Sequence, residues 1–452
     1  MTNGSSIKAL RVTEAAIHGS DSSYTVESLP LGRGASDTVD LFSYSAGSRI
    51  ERFADDTNFT SSGVYFEAIR PTKYASNPVS PVEADPNGTW DYDKYYVNVL
   101  HDGSGYKAWI GVYDSSADPG VTYETSADGI TWTQPNLGIV TYGGNTNNNL
   151  ITDQYDPTVV DDGSRYLVLI GADAASASNN QALIYSSTDG ITGLTLEKTI
   201  THGVYSEFHG FVKRPDGRYI VYYTFGHTTE QRAIGAYLSD STDITGTWTD
   251  QGTVLNLVLS AESQYYYLNP TVIDGVFYGV VGRFNQSTDL IWQELWTSPD
   301  GLSWELQAHD WVPNGDDYDP GMVIGKTLAV NGYDVRFYYG GSVGDHAASL
   351  PRDSRLCYAS LHLTRLIRVN GPGGTLTTTS VTPTAPLKIS AASSGGNLKV
   401  ELLDPSDDSV LTGYAKADCD NLDGNHAAKI VTWNGLGIPT GIPVKIKFYL
   451  DA

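Results

Sequence analysis

Five segments of this chain repeat one pattern: a polar or aromatic residue, a strand-like run, a tight turn, and a second aromatic-rich run. They read YYVNVLHDGSGYKAWIG from Tyr95, YDPTVVDDGSRYLVLIG from Tyr155, FHGFVKRPDGRYIVYYT from Phe208, LNPTVIDGVFYGVVG from Leu268, and YDPGMV from Tyr318 followed by DVRFYYGG from Asp334. Aligned on the first run, the opening residues are Tyr96, Asp156, His209, Asn269 and Asp319, spaced by 60, 53, 60 and 50 residues. A supersecondary unit returning at about 40 to 60 residues marks a propeller or solenoid.

Each unit carries a second hairpin. The turns Ser126-Ala-Asp128-Gly129-Ile-Thr131-Trp132 and Ser298-Pro-Asp300-Gly301-Leu-Ser303-Trp304 have weaker copies from Ser187 and from Ser241. Asp-Gly between strand-like runs is a hairpin signal, because glycine accepts positive φ without steric cost. The Ser and Asp side chains can tie back to turn amides, and the Trp can pack between blades. The sequence therefore predicts an all-β fold, a five-bladed β-propeller followed by a small β-sandwich. The expected domains are an N-terminal extension or cap packing on the propeller (1–90), the propeller (91–370) and the sandwich (371–452). Strand-like runs at 7–12, 23–29 and 64–69 fall in the extension. The Gly/Pro/Thr-dense stretch from Asn370 marks the second boundary.

Composition limits the function classes. The formal net charge of −24 opposes nucleic acid or an anionic membrane surface as a partner. Cys357 and Cys419 lie in different predicted domains, with no Cys/His cluster, so neither a disulfide nor a metal framework is expected. No cofactor is expected; a calcium ion is left open. No apolar stretch is long enough for membrane insertion. No signal peptide is visible at the N-terminus. The expected location is extracellular, at a cell surface or on a virion.

The repeat geometry places the candidate chemistry. If each first strand runs away from a top face, its opening residue lies there beside the axis, and so do the loops after each second strand. Tyr96, Asp156, His209, Asn269 and Asp319 meet there with Asp93, Glu207, Tyr267, Arg283 and His346. Carboxylates can activate water and protonate a leaving oxygen, whereas amides, imidazoles and tyrosines hydrogen-bond hydroxyls and stack on sugars. Glycoside hydrolysis needs two carboxyl groups flanking the scissile bond. The competing local reading makes Asp156-Pro157 and Asp319-Pro320 strand-opening turns and His209 a structural hydrogen-bonder.

Several stretches carry a resemblance to known proteins: SADGITWTQPNLGIVTYGGNTNNNL from Ser126, YDPTV from Tyr155, YYGGSVGDHA from Tyr338, LKVELLD from Leu398 and GYAKADCD from Gly413. The chain resembles the five-bladed β-propeller glycoside hydrolases of the invertase/levanase and arabinanase/xylosidase clan. It looks closest to an uncharacterised bacterial propeller group with a C-terminal β-sandwich. The resemblance implies three carboxylates at the openings of successive inner strands. Asp156 matches the orienting Asp, with Tyr155 where the clan has Arg, and Glu207 falls near the acid. Tyr96 stands where the clan has an Asp, so Asp319 or Asp93 is expected as base or nucleophile. The expected activity is hydrolysis of a neutral glycan, a furanoside or a plant or algal polysaccharide. Asp156, Glu207, Asp319 and Asp93 are the catalytic candidates; Tyr96, His209, Asn269, Tyr267, Arg283 and His346 are the substrate-binding candidates. The alternative is a non-catalytic carbohydrate-binding or surface-adhesion module, which the same face would serve.

Overall fold

The computed structural model describes residues 38–46, 50–51, 59–79, 93–113, 119–135, 137–139, 149–152, 154–172, 180–203, 206–226, 232–255, 263–315, 317–371, 373–394 and 397–451. The candidate strands at 7–12 and 23–29 and the turn Asp85-Pro86-Asn87-Gly88 lie outside these residues. The described residues are all β, apart from 3-10 turns at Leu363–Arg365 and Lys416–Asp418. Among them no helix is long and apolar enough to cross a membrane. Two compact units divide the chain: residues 70–363, and residues up to Ile69 combined with those from Thr364 onward.

The 70–363 unit is a propeller of successive antiparallel groups. The first pairs Asp93–His101, Tyr106–Tyr113, Pro119–Ser126 and Asn149–Thr152 in chain order. The second runs Gln154–Asp161, Tyr166–Ala172, Gln181–Ser187 and Thr195–Thr201, and the third Ser206–Lys213, Tyr219–Phe225, Ala233–Ser239 and Trp248–Leu255. The fourth runs Ser263–Ile273, Val276–Asn285, Leu290–Ser298 and Glu305–Val312, and its third strand is joined to the last group by one parallel pairing, Ile291 with Met322. In the last group Met322–Ile324 and Leu328–Asn331 precede Asp334–Ser342 and Ser354–His362. Its outer edge is Thr72–Lys73, supplied from the other side of the chain.

Hydrogen bonds link each group to the next around a ring. Val159 N donates to Asn98 Oδ1 (3.3 Å), Thr158 Oγ1 to the His209 carbonyl (2.6 Å), and Thr224 Oγ1 to the Tyr266 carbonyl (2.9 Å). Leu328 N donates to Thr271 Oγ1 (2.9 Å), and Lys326 N to the Val97 carbonyl (3.0 Å), which returns to the first strand. Inner strands are apolar on both faces because neighbouring sheets cover both. Leu167, Leu169 and Ile184 of the second group, for example, share a core with Phe211, Tyr219 and Val221 of the third. Outer strands such as Trp248–Leu255 are largely exposed.

The Asp-Gly turns do two things. Asp128, Asp189 and Asp300 each accept two amides at 2.7 and 2.8 Å, from residues two and three places on. The glycine carbonyls then receive a ring donor from the preceding group. Trp109 Nε1 reaches Gly190 O (2.8 Å), Tyr222 Oη reaches Gly301 O (2.7 Å), and Tyr338 Oη reaches Gly129 O (2.8 Å), the last across the ring closure. Local turn chemistry thus becomes a latch between sheets.

The second unit has two sheets. One orders Asn425–Ile430, Lys388–Ser394, Thr38–Ser45, Ile367–Asn370 and Tyr65–Ala68; the other orders Asn397–Leu403, Lys445–Asp451, Gly374–Thr378 and Phe59–Ser62. Leu376, Leu398, Val400, Ile446 and Phe448 are fully buried. This corrects the expected division. The described strands before Ile69 pair into the same sheets as the C-terminal strands, where a separate 1–90 extension was expected. Thr38–Ser45 fills the gap between Lys388–Ser394 and Ile367–Asn370, where an open edge would otherwise stand. Cys357 and Cys419 are free and buried.

Gly190 tests the latch. It has φ 75°, and a Cβ there would stand 2.8 Å from Trp109 Cζ2. Gly190→Ala is expected to lower stability by about 1–3 kcal/mol, read as a fall in denaturant midpoint, because the conformation and the space both exclude a side chain. Gly193→Ala, also at positive φ but with nothing within 4 Å of its Cβ, should cost less.

Candidate functional site

Each inner strand carries one residue in excess near its opening end. Tyr96 and Val97 oppose one residue, and Asp156, His209 and Tyr266 are each skipped by the pairing. Gly325–Thr327 oppose only Tyr338 and Tyr339, so Lys326 falls in the corresponding stretch. A β-bulge bends the strand and re-aims its extra side chain. Tyr96 (φ 49°) and Asp156 (φ 71°) occupy the left-handed region, which is uncommon for residues with a side chain.

Two expected opening residues are thereby corrected. Asn269 lies three residues beyond the bulge, fully buried inside the ring, with Oδ1 3.4 Å from Thr158 Oγ1. Tyr266 takes its place. Asp319 precedes the last inner strand and is 1 % exposed, accepting Lys73 Nζ (2.7 Å) and Tyr339 Oη (3.0 Å). Lys326 stands in the corresponding stretch. With these residues the spacings become 60, 53, 57 and 60, more even than the β-branched runs suggested.

A charged cluster sits on the axis. Lys326 Nζ is fully buried and donates to the carbonyls of Asp156 (3.2 Å) and His209 (2.8 Å) and to Thr158 Oγ1 (3.0 Å), while pairing with Asp156 Oδ1. Burial pushes the lysine pKa down. The oxygen shell opposes that: with four acceptors in reach, the three donors of an ammonium satisfy more of them than a neutral amine would. Asp156 Oδ2 also bonds His209 Nδ1. That bond fixes the tautomer, so a neutral His209 presents the Nε2 lone pair to Glu207 Oε2, 3.4 Å away. Glu207 is 16 % exposed at its side chain, against 3 % for Asp156 and 2 % for His209.

The remaining candidates divide. Asp93 is buried and accepts the amides of Arg352 (2.5 Å) and Ser354 (2.9 Å); burial raises its pKa against these bonds. Tyr267 is fully buried and accepts the Gly325 amide (3.1 Å). Arg283 lies over the Tyr265 ring, 3.8 Å from the buried Glu294. Tyr96 and His346 line a cavity of about 210 Å³ together with Tyr95, Tyr113, Tyr266 and Arg352; Met322, Ile324 and Leu350 supply its apolar surface. His346 Nε2 and Tyr266 Oη are hydrogen-bonded (3.0 Å). Arg352 is held by its own contacts to the Ala348 and His346 carbonyls, each 2.8 Å. Glu207 is close enough to act electrostatically on both Tyr266 and His346. Tyr95, Tyr113 and Arg352 were not singled out from sequence as cavity residues; Tyr266 was read only as a neighbour of Asn269 on the same face, and the repeated bulge identifies it as the opening residue.

A larger hollow of about 470 Å³ lies among the first-group turns, lined by Asp102, Lys107 and Asp128. Its carboxylates are engaged there, Asp102 with Lys107 (3.0 Å) and Asp128 with its own turn amides. The chemistry gathers at the tyrosine-lined cavity instead.

No family model and no curated protein matches this chain. Solved structures similar to it are glycoside hydrolases of propeller type. A thermostable family-43 glycoside hydrolase is 13% identical over 63% of this chain and 91% of its own, with a TM-score of 0.44. A glycosyl hydrolase from Bacteroides ovatus is 11% identical over 65% and 94%, TM-score 0.45. A structure from work on the GH130 family of mannoside phosphorylases and β-1,2-mannoside-directed hydrolases is 13% identical over 65% and 94%, TM-score 0.45.

Two outcomes follow from the site's electrostatics. Lys326→Met strands the Asp156 carboxylate beside one imidazole and is expected to cost about 3–5 kcal/mol in chemical denaturation. His346 is pushed down to about 4 from 6.5, by burial and then by Arg352 and Arg232. Between these values the unfolded chain binds a proton that the folded chain refuses. Stability should therefore fall as pH drops from about 6.5 to about 4, then lose nothing further to this group. His346→Gln should flatten that segment of the stability–pH curve.

Proposed function

We propose that the propeller binds a neutral glycan in the tyrosine-lined cavity at the opening ends of its inner strands. One observation carries this reading: Asp93, Asp156 and Asp319 are buried and engaged internally, while four tyrosines, a neutral imidazole and a guanidinium surround the cavity. Tyrosine rings offer apolar faces to sugar C–H surfaces, with a hydroxyl at the rim. Glu207 beside the cavity and the formal charge of −24 disfavour an anionic ligand.

Hydrolysis is the second reading, favoured by the chain Asp156–His209–Glu207. Glu207 is the partly exposed end of that chain. Its acid form would donate to a leaving glycosidic oxygen, with His209 and Asp156 as positioning residues behind it. A carboxylate acid/base pair needs a second carboxyl across the scissile bond. Asp93 and Asp319 are engaged elsewhere, and Asp156 lies behind the imidazole, so this reading needs a second group beyond the four carboxylates predicted.

Calorimetric titration and reducing-end release with a panel of neutral oligosaccharides separate the two. Recognition without catalysis predicts saturable binding and no release. Hydrolysis predicts release that falls by about 10²-fold or more in Glu207→Gln with folding intact. A panel that neither binds nor is cleaved overturns both.

A further inference from the structure

We infer that the cavity takes a single sugar residue, so that what the propeller recognises is the end of a glycan chain rather than its middle. The inference rests on the glycan reading above and narrows it. The first observation is size. A cavity of about 210 Å³ is smaller than the roughly 300–1,000 Å³ that encloses a drug-sized ligand. At about 30 Å³ per water it holds on the order of seven waters, the displacement of one hexose or pentose ring and not of two.

The second observation is what packs behind Tyr96, whose ring lies 5.6 Å from Lys326 Nζ and stacks on His209. Lys326, Asp156 and His209 are each at most 2 % exposed and are tied to one another across three of the sheets. Tyr267 and Asn269, both fully buried, occupy the ring beneath. Among the described residues, the space behind Tyr96 is filled by these buried side chains, so the cavity does not extend that way.

The third observation is that the walls are held by their own bonds. Tyr266 is bonded to His346, and Arg352 is fixed by its amide on Asp93 and its guanidinium on two carbonyls. Widening the cavity for a second ring would break these contacts. A ligand that fills a rigid recess gains affinity from the residue inside and little from residues outside it.

The chain offers a probe in the right place. It has two methionines, and the internal one, Met322, lines the cavity. The experiment uses the full chain with ¹³C-methyl methionine, the Met322 resonance being assigned through Met322→Leu. Neutral furanose and pyranose oligosaccharides from monosaccharide to pentasaccharide are titrated, followed by the same chains bulked at both ends. The expected result is a Met322 shift on binding, a Kd that changes by less than about threefold beyond the first residue, and at least about tenfold weaker binding of end-blocked chains. A Kd that tightens about tenfold with each added residue overturns this inference alone. So does an end-blocked chain that binds as well as a free one, or binding that leaves the Met322 methyl unmoved. Failure of every saccharide to bind overturns the glycan reading and this inference with it.

Discussion

A lysine side chain without access to water holds the centre of the propeller. Lys326 comes from the last inner strand, yet its oxygen partners belong to the second and third. Desolvating a cation is costly, and the cost is offset only where the oxygens are already arranged. Here they are arranged by bulges: Asp156 in a left-handed conformation turns its carboxylate inward, and His209 brings both a carbonyl and an imidazole. The strand geometry and the charge cluster are therefore one device. Its outward-facing end is Glu207, the carboxylate of this group with appreciable exposure.

That device changes what the carboxylates can do. Three acidic groups at the openings of inner strands would repel one another and raise at least one pKa, the condition an acid catalyst exploits. In this chain the charges are dispersed by pairing. Asp156 faces Lys326, Asp319 faces Lys73, and Asp93 fastens the backbone of Arg352 and Ser354. What reaches the cavity is tyrosine rings, an imidazole pushed below its ordinary range, a few apolar side chains and one charged group, the Arg352 guanidinium.

Much of this was legible in the sequence, and the misses share a cause. The repeat, the hairpins and the Asp-Gly turns follow from local chemistry, so Ser126–Trp132 and Ser298–Trp304 could be read directly. The opening residues could not all be read, because a bulge adds one residue without disturbing the apolar run beside it. Aligning on Pro270-Thr271-Val272 therefore selected Asn269 and passed over Tyr266. Lys326, in a Gly-Lys-Thr stretch, carries no pattern that distinguishes a buried axial lysine from a solvated loop charge. The pairing of Thr38–Ser45 with Lys388–Ser394 was also hidden. Strand propensity announces an element, but not a partner more than three hundred residues away.

That last pairing has a consequence for how the molecule is assembled. The sandwich unit is discontinuous: its first strands are synthesised before the propeller, and most of their partners after it. Until the intervening segment folds, joining Ile69 to Leu366, whose backbones are hydrogen-bonded at 2.9 Å, would require closing a flexible loop of the whole propeller. A folded ring removes most of that entropic penalty, because it replaces a long loose tether with a short rigid one. Pairing the sandwich strands is therefore entropically cheaper once the propeller has folded. Until the sandwich forms, its early strands present unpaired edges, the state in which a β-rich chain is most prone to associate with its neighbours.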